Sequence, residues 1–241
     1  MFWLAVWQAL VWAVHSDVLL ASPLQTAVQL VELVPTADFW ASVGFSASRI
    51  VAGFLLALVA GSALAAAAAA WPVVDMLLSP FIRALRAVPV VSFVLLVLIW
   101  ASSGALSVVI GFIMVMPVVY ANIAEGIAAR DPLLDELAQV FRLDARRRWW
   151  AITLPRLMPY LTASVRVGLG LCWKAGVSAE VIGLTSGSIG ERLYQAKLLL
   201  STADLFAWTA VIIVCAWVLE KLALTGLRAA DRRLGKAYSR P

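Results

Sequence analysis

Apolar residues run along this chain in long blocks rather than in alternation, and polar residues collect between the blocks. The blocks are Phe2 to about Leu20, Phe39 to about Ala70, Ala87 to Trp100, Leu106 to Ala124, Leu157 to Gly183 and Leu205 to Leu224. Crossing the hydrocarbon of a bilayer takes about 20 helical residues, so the pattern predicts an all-α integral membrane protein with six transmembrane helices. No charge occurs between Arg86 and Glu125, a region that holds two blocks and the Ser102-Ser103-Gly104 turn dividing them. Ala87 to Trp100 is short for a crossing at about 1.5 Å per residue. It is expected to borrow from Phe81 onward, with Arg83 and Arg86 reaching toward the headgroups. Gly53, Ala57, Gly61, Ala65 and Ala69 share one face of the second block, a ridge small enough to let another helix approach closely.

The connections divide the chain further. Residues 1–21 are read as the first transmembrane helix, retained because its start lacks the basic residues that a cleaved signal needs. Residues 22–38, with Pro23, Glu32, Pro35 and Asp38 but no lysine or arginine, read as an external loop. Residues 39–224 form a core of five transmembrane helices interrupted by a polar loop over 127–156, and 225–241 form a basic tail. Leu184 to Asp204 is a second polar connection. If loop 127–156 is cytoplasmic, so are the Arg83/Arg86 connection and the tail, which together with Lys221 near the end of the last block place fourteen of the nineteen basic residues inside and both termini in the cytoplasm.

Composition narrows the function classes. With 63% hydrophobic and 14% charged residues and a mean hydropathy of +0.94, the chain lies far from soluble domains, which carry about 25% charge. A net charge of +5 would suggest nucleic acid in a soluble protein; here it reflects basic loops beside anionic headgroups. Arg146, Arg147 and Arg148 beside Trp149 and Trp150 likewise mark a headgroup boundary. Cys172 and Cys215 sit in apolar runs and read as packing residues, and His15, the single histidine, has no ligand cluster around it, so no metal site is expected. No G-x-x-x-x-G-K-[ST] phosphate loop occurs, so the chain is not expected to hydrolyse ATP itself.

The loop over 127–156 is the one long polar stretch. Asp131-Pro132 supplies a capping carboxylate and then proline where its missing N–H costs nothing, so a short helix is expected to about Phe141. Asp144 is a second cap, and the helix after it is expected to run until Pro155 and Pro159 interrupt it.

Glu136-Leu137-Ala138, then Arg142, then Ile152-Thr153-Leu154-Pro155 resembles the EAA loop of binding-protein-dependent ABC transporter permeases. That pattern starts Glu-Ala-Ala, has glycine six residues after the Glu, and ends Ile-x-Leu-Pro. From about Ser22 to Leu222 the chain looks like the nitrate, sulfonate, taurine and bicarbonate class of these permeases. Leu137 and Arg142 depart from the pattern, and Arg142 bears on the turn. If the turn needs φ > 0, arginine costs roughly 1 kcal/mol more there than glycine.

The resemblance implies a type I ABC importer permease with cytoplasmic coupling helices, in the plasma membrane (the inner membrane) of a prokaryote. It implies two ATPase subunits carrying ATP and Mg, a second permease copy that makes a homodimer, and an extracytoplasmic solute-binding protein. Coupling to the ATPase then falls on Asp131, Asp135, Glu136, Ala138, Arg142, Ile152, Leu154 and Pro155. This chain would bind no cofactor, have no catalytic residue, and move a small anionic or heterocyclic solute by alternating access.

The translocation path is assigned to Asn122, Trp173, Lys174, Ser178 and Glu180. Trp173 and Ala179-Glu180 match the family's Trp-then-Ala-Glu region. Asn122 also reads as a helix-to-helix hydrogen bond. Gly168, Cys172, Gly176 and Glu180 form one stripe, so Glu180 is expected to face protein or a water-filled path. Lys174 lies about 240° around the helix from Glu180 and cannot simply pair with it. It has three readings: a countercharge for an anion in the path, a partner for an acid on another helix or protomer, or a snorkelling lysine. A passive or gated channel is the main rival function, and an intramembrane enzyme a remote one, for no nucleophile and base are placed together.

Overall fold

The computed structural model describes residues 1–16, 18–129 and 131–238; of Asp135 and of residues 230–238 it describes the backbone alone. Asp17 and Arg130, and the side chains of tail residues Arg232, Arg233 and Lys236, therefore lie outside the described residues, as does Arg240. All the described elements are helical, which is how a chain in hydrocarbon satisfies its backbone groups internally.

Helix α1 (Phe2–Val14) has 13 residues, about 20 Å of rise, and ends at His15 in the left-handed conformation (φ 52°). The segment 22–38, expected as a loop, is mostly helix α2 (Pro23–Leu33). Its Ser22 Oγ accepts from Gln25 N at 3.1 Å while Gln25 Oε1 accepts from Ser22 N at 2.7 Å, a complete capping box. Helix α3 (Ala37–Ala70) is followed by α4 (Pro72–Ala87) and α5 (Val90–Trp100). The expectation that α5 extends back to Phe81 as one helix is corrected here. Val88 is extended (φ −82°, ψ 130°) because Pro89 crowds it out of the helical region, and the helix breaks between them.

A 3₁₀ turn at Ser103–Ala105 leads into α6 (Leu106–Ala128). The polar loop holds α7 (Pro132–Val140) and the four-residue α8 (Ala145–Arg148). A π-helical turn at Trp149–Thr153 joins α8 to α9 (Leu154–Gly183), which runs through Pro155 and Pro159 rather than stopping at them. Leu154 N donates to Trp149 O five residues back, and the wider turn gives the Pro155 ring room against the preceding carbonyls. Helices α10 (Ile189–Leu198) and α11 (Thr202–Tyr238) complete the chain. The connection read as merely polar between Leu184 and Asp204 thus carries a helix, started by Ser188, whose Oγ accepts from Glu191 N at 3.0 Å.

Among the described residues, three helical stretches are long and apolar enough to cross a membrane: Ala37–Ala70, Ser103–Ala128 and Thr202–Ala229. The broken pair α4 and α5 makes a fourth if counted as one span, and α1 is a shorter apolar helix.

The chain divides into two compact units. One comprises residues 1–52, 90–110 and 173–217. Its centre is packed by the fully buried Ile50, Leu106, Ile110 and Ile189. Phe39 stacks on Trp208 at 5.2 Å between ring centroids. Arg49 is satisfied inside this apolar unit: its Nε donates to Gly104 O at 2.6 Å and its guanidinium lies 3.6 Å from the centre of the Phe45 ring.

The other unit comprises residues 53–89, 111–172 and 218–241. Here the ridge of α3 is buried at Gly53, Ala57, Gly61 and Ala65, against α6. A Cβ on Gly61 would sit 2.9 Å from both Met116 O and Val119 Cβ, and one on Gly111 would come within 2.6 Å of Cys172 Sγ. The small residues therefore let backbones approach where side chains would hold them apart. Helix α4 is pinned at both ends of its polar side: Tyr120 Oη donates to Asp75 Oδ1 at 3.1 Å, and the Arg86 guanidinium donates to Pro117 O at 3.1 Å.

Candidate functional site

The two capping carboxylates of the polar loop both engage. Asp131 Oδ1 accepts from Leu133 N at 3.0 Å and Asp144 Oδ1 from Arg147 N at 3.2 Å, so α7 and α8 start as two separate helices. Between them the chain turns at Arg142, whose φ is 47°. Leu143 N donates to Ala138 O at 2.9 Å and Arg142 N to Gln139 O at 3.0 Å, the paired bonds of a Schellman motif with Arg142 at its left-handed position. This is the conformation glycine adopts without strain, so the arginine stands in a glycine's backbone geometry. Arg142→Gly is expected to stabilise the turn by about 1 kcal/mol, read as roughly fivefold slower hydrogen exchange at the Leu143 amide. An unchanged or faster exchange rate would mean that the arginine side chain itself holds the turn.

Helix α7 keeps little of its apolar surface against its own chain. Ala138 is buried, but Leu133 is 70% exposed, Leu137 52%, Val140 78% and Phe141 68%. Residues 133, 137, 140 and 141 follow the spacing that puts side chains on one helix face, so they make a continuous apolar row. Glu136 and Arg142 are exposed beside it, and the Asp135 side chain lies outside the described residues. Ile152 in the π-turn and Leu154 at the start of α9 are half-buried, and Pro155 is exposed.

The five residues assigned to a path separate into three situations. Asn122 Nδ2 donates to Ser164 Oγ at 3.1 Å, joining α6 to α9. Glu180 and Trp173 are buried in packing. Lys174 and Ser178, one turn apart on α9, are exposed and share the lining of a cavity of about 460 Å³.

Glu180 is fully buried and faces protein. Its carboxylate accepts from Ser107 Oγ at 2.7 Å, Ser46 Oγ at 2.8 Å and Gly190 N at 3.2 Å. Ser46 Oγ in turn accepts from Ile189 N at 2.9 Å. One carboxylate thus ties α3, α6 and the first turn of α10 to α9, with a negative group at a helix N-terminus where free N–H groups favour it. Gly190 is what allows the approach: a Cβ there would lie 2.3 Å from Glu180 Cβ and 2.6 Å from backbone atoms of Glu180 and Val181. Ser46, Ser107 and Gly190 are the members of this site that sequence reading missed. Their one sequence signal is that Ser46 and Ser107 are hydroxyls set among apolar residues.

The lysine presents the opposite case. No ion-pair partner for Lys174 occurs among the described residues, and the wall around it is valine, isoleucine and leucine apart from Ser178. Glu180, the acid nearest to it along α9, already holds three donors on the buried side.

Residues 50–236 match the family model described as binding-protein-dependent transport system inner membrane component. The taurine transport system permease protein TauC of Escherichia coli (strain K12) is 29% identical over 199 residues, which is 82% of this chain and 70% of that protein. SsuC of Bacillus subtilis (strain 168), whose name refers to aliphatic sulfonates transport, is 28% identical over 236 residues, covering 97% of this chain and 83% of that one. The bicarbonate transport system permease protein CmpB of a Synechocystis species is 28% identical over 154 residues, 63% of this chain and 54% of its own length. With the family model covering well over half its residues, this chain belongs to the binding-protein-dependent transport system inner membrane components, the permeases of ABC importers.

Proposed function

We propose that the chain is the membrane-spanning subunit of an ATP-driven importer for a small anionic or heterocyclic solute, coupled through α7 to a separate ATPase. The observation that carries this is the uncovered apolar row Leu133, Leu137, Val140 and Phe141. Large apolar side chains gathered on one face of a short, separately capped helix mark a surface that a partner covers, and a groove on that partner is the usual fit. A passive channel has no need of such a helix.

In this reading α1, α3, the α4–α5 pair, α6, α9 and α11 make six crossings, with the polar loop, the tail and both termini in the cytoplasm of a prokaryotic cell. Asp131 and Asp144 set the ends of the docking element, Glu136 and Asp135 offer charge at its rim, and Ile152, Leu154 and Pro155 carry its displacement into α9. ATP and Mg reside on a pair of ATPase subunits; this chain binds no cofactor and carries out no chemistry. A second, identical permease completes the path by alternating access, and an extracytoplasmic solute-binding protein meets the outer side near α2 and α10.

The path is assigned to the face of α9 that bears Lys174 and Ser178. Trp173 and Glu180 fix the rotation of that helix from its buried side, and Asn122 holds α6 to it further along. The relatives named for taurine, aliphatic sulfonates and bicarbonate support a solute that carries negative charge, for which Lys174 supplies the countercharge. Lys174→Met is expected to lower anion uptake at least tenfold, while Lys174→Arg keeps most of it. Unchanged uptake and stability in the methionine variant would remove Lys174 from the path.

A further inference from the structure

The approach to α9 carries a charge arrangement that docking through α7 does not use. Helix α8, the π-helical turn and α9 run without a break from Ala145 to Gly183, and side chains come along that run in a definite order. First are Arg146 and Arg147, both exposed, then Trp149 and Trp150, 47% and 42% exposed, then Leu154, half-buried, and Leu157, buried. Guanidinium, indole and aliphatic side chain in that order match headgroup, interface and hydrocarbon in one leaflet of a bilayer.

The chain does not balance the positive charge at this junction. No aspartate or glutamate occurs between Asp144 and Glu180. Asp144 stands 3.7 Å from Arg147, but both side chains lie mostly in solvent, so the pair holds weakly. Arg146 has no ion-pair partner among the described residues. In the first turn of α9, Arg156 is half-buried and its Nε has no hydrogen-bond acceptor. A guanidinium left short of acceptors at such a boundary suits the oxygens of a phosphate.

On the reading of this loop as cytoplasmic, we infer that the α8–α9 junction is a binding site for an anionic phospholipid headgroup of the cytoplasmic leaflet. Arg146 and Arg147 take the phosphate, Trp149 and Trp150 flank the roots of the acyl chains, and Arg156 extends from α9 toward the same headgroup layer. Charge selects this occupant over the ATPase. The surface that α7 offers to a partner is apolar, and the left-handed turn at Arg142 separates it from the arginines, whereas the cytoplasmic leaflet is rich in negative headgroups. A lipid held here fixes the junction through which displacement of α7 enters α9.

The test is lipid binding by the full chain without its ATPase, purified in neutral detergent, titrated with phosphatidylglycerol or phosphatidylcholine and read by native mass spectrometry. Phosphatidylglycerol should bind more tightly than phosphatidylcholine, by roughly fivefold for each of Arg146 and Arg147. Arg146→Gln and Arg147→Gln should each remove one such factor and leave phosphatidylcholine binding unchanged, while lysine at both positions should keep the preference. Both side chains are exposed, so these variants should fold as the parent does. Arg228→Gln, which removes an exposed arginine of α11, should leave the preference intact.

An equal loss in Arg228→Gln would overturn the inference, because the patch would then be unspecific positive charge. So would displacement of phosphatidylglycerol by excess inorganic phosphate, which would make this a site for the free ion. An unchanged preference in both glutamine variants, with loss of ATPase co-purification, would overturn it as well and make the arginines an ATPase contact. The docking reading fails separately. If deleting α7 leaves the ATPase bound, that reading falls, while the lipid preference, measured without ATPase, still rests on Arg146 and Arg147 alone.

Discussion

Deleting residues 131–141 is expected to yield a protein that still inserts into the membrane but no longer co-purifies with its ATPase. The deleted segment is a self-contained, separately capped helix, and its large apolar side chains are turned away from the rest of the chain. Its loss therefore removes little packing from the membrane core. A finer version replaces Leu137 and Phe141 with aspartate. Both are exposed, so folding should change by no more than about 0.5 kcal/mol at each site. Buried in a partner's groove, each would be an anchor, and losing one should weaken the complex by about 2 kcal/mol, roughly thirtyfold. A complex that survives both substitutions would mean that the ATPase docks elsewhere and that the apolar row on α7 has another occupant.

The second large effect lies on the opposite side of the sequence pattern, at Glu180 and Gly190. Glu180→Ala strips the acceptor from two hydroxyls and one backbone N–H that are buried with it. At about 1 kcal/mol per lost bond, the variant should be less stable by about 3 kcal/mol. Glu180→Gln keeps the shape and one accepting oxygen and should lose less. Gly190→Ala is expected to do at least as much harm as the alanine at Glu180. Its Cβ would meet backbone atoms, which cannot rotate away, and overpacking of this kind costs about 3 kcal/mol. Thermal unfolding of the detergent-solubilised variants reads both. A Gly190→Ala protein as stable as its parent would show that α10 does not sit on α9 at this distance.

What was legible in the sequence follows the range of the interactions. The caps at Asp131 and Asp144 involve a carboxylate and an amide two or three residues away, so local chemistry was enough to place α7 and α8. The helical-wheel separation of Lys174 from Glu180 is equally local, and the structure has one exposed and the other buried. The small-residue ridge of α3 could be read as a close-packing face, although nothing nearby named α6 as its partner.

Other signals were present and underweighted. Ser22 with Gln25 and Ser188 with Glu191 are capping pairs that start α2 and α10, yet both segments read as loops because their polar residues outweighed the caps. The span expected to reach back to Phe81 contains Pro89, whose effect on Val88 ends α4. The Glu180 site was out of reach for a different reason: Ser46 and Ser107 are 134 and 73 residues away along the chain, and no local pattern couples them.

The most direct measurement is solute accumulation by proteoliposomes that hold this chain with its ATPase, supplied with the cognate binding protein outside and ATP inside or withheld. An importer permease should concentrate the solute inside above its external level when ATP is present, and should pass almost none without it. Equal, downhill flux with and without ATP would contradict that account and make the chain a passive channel.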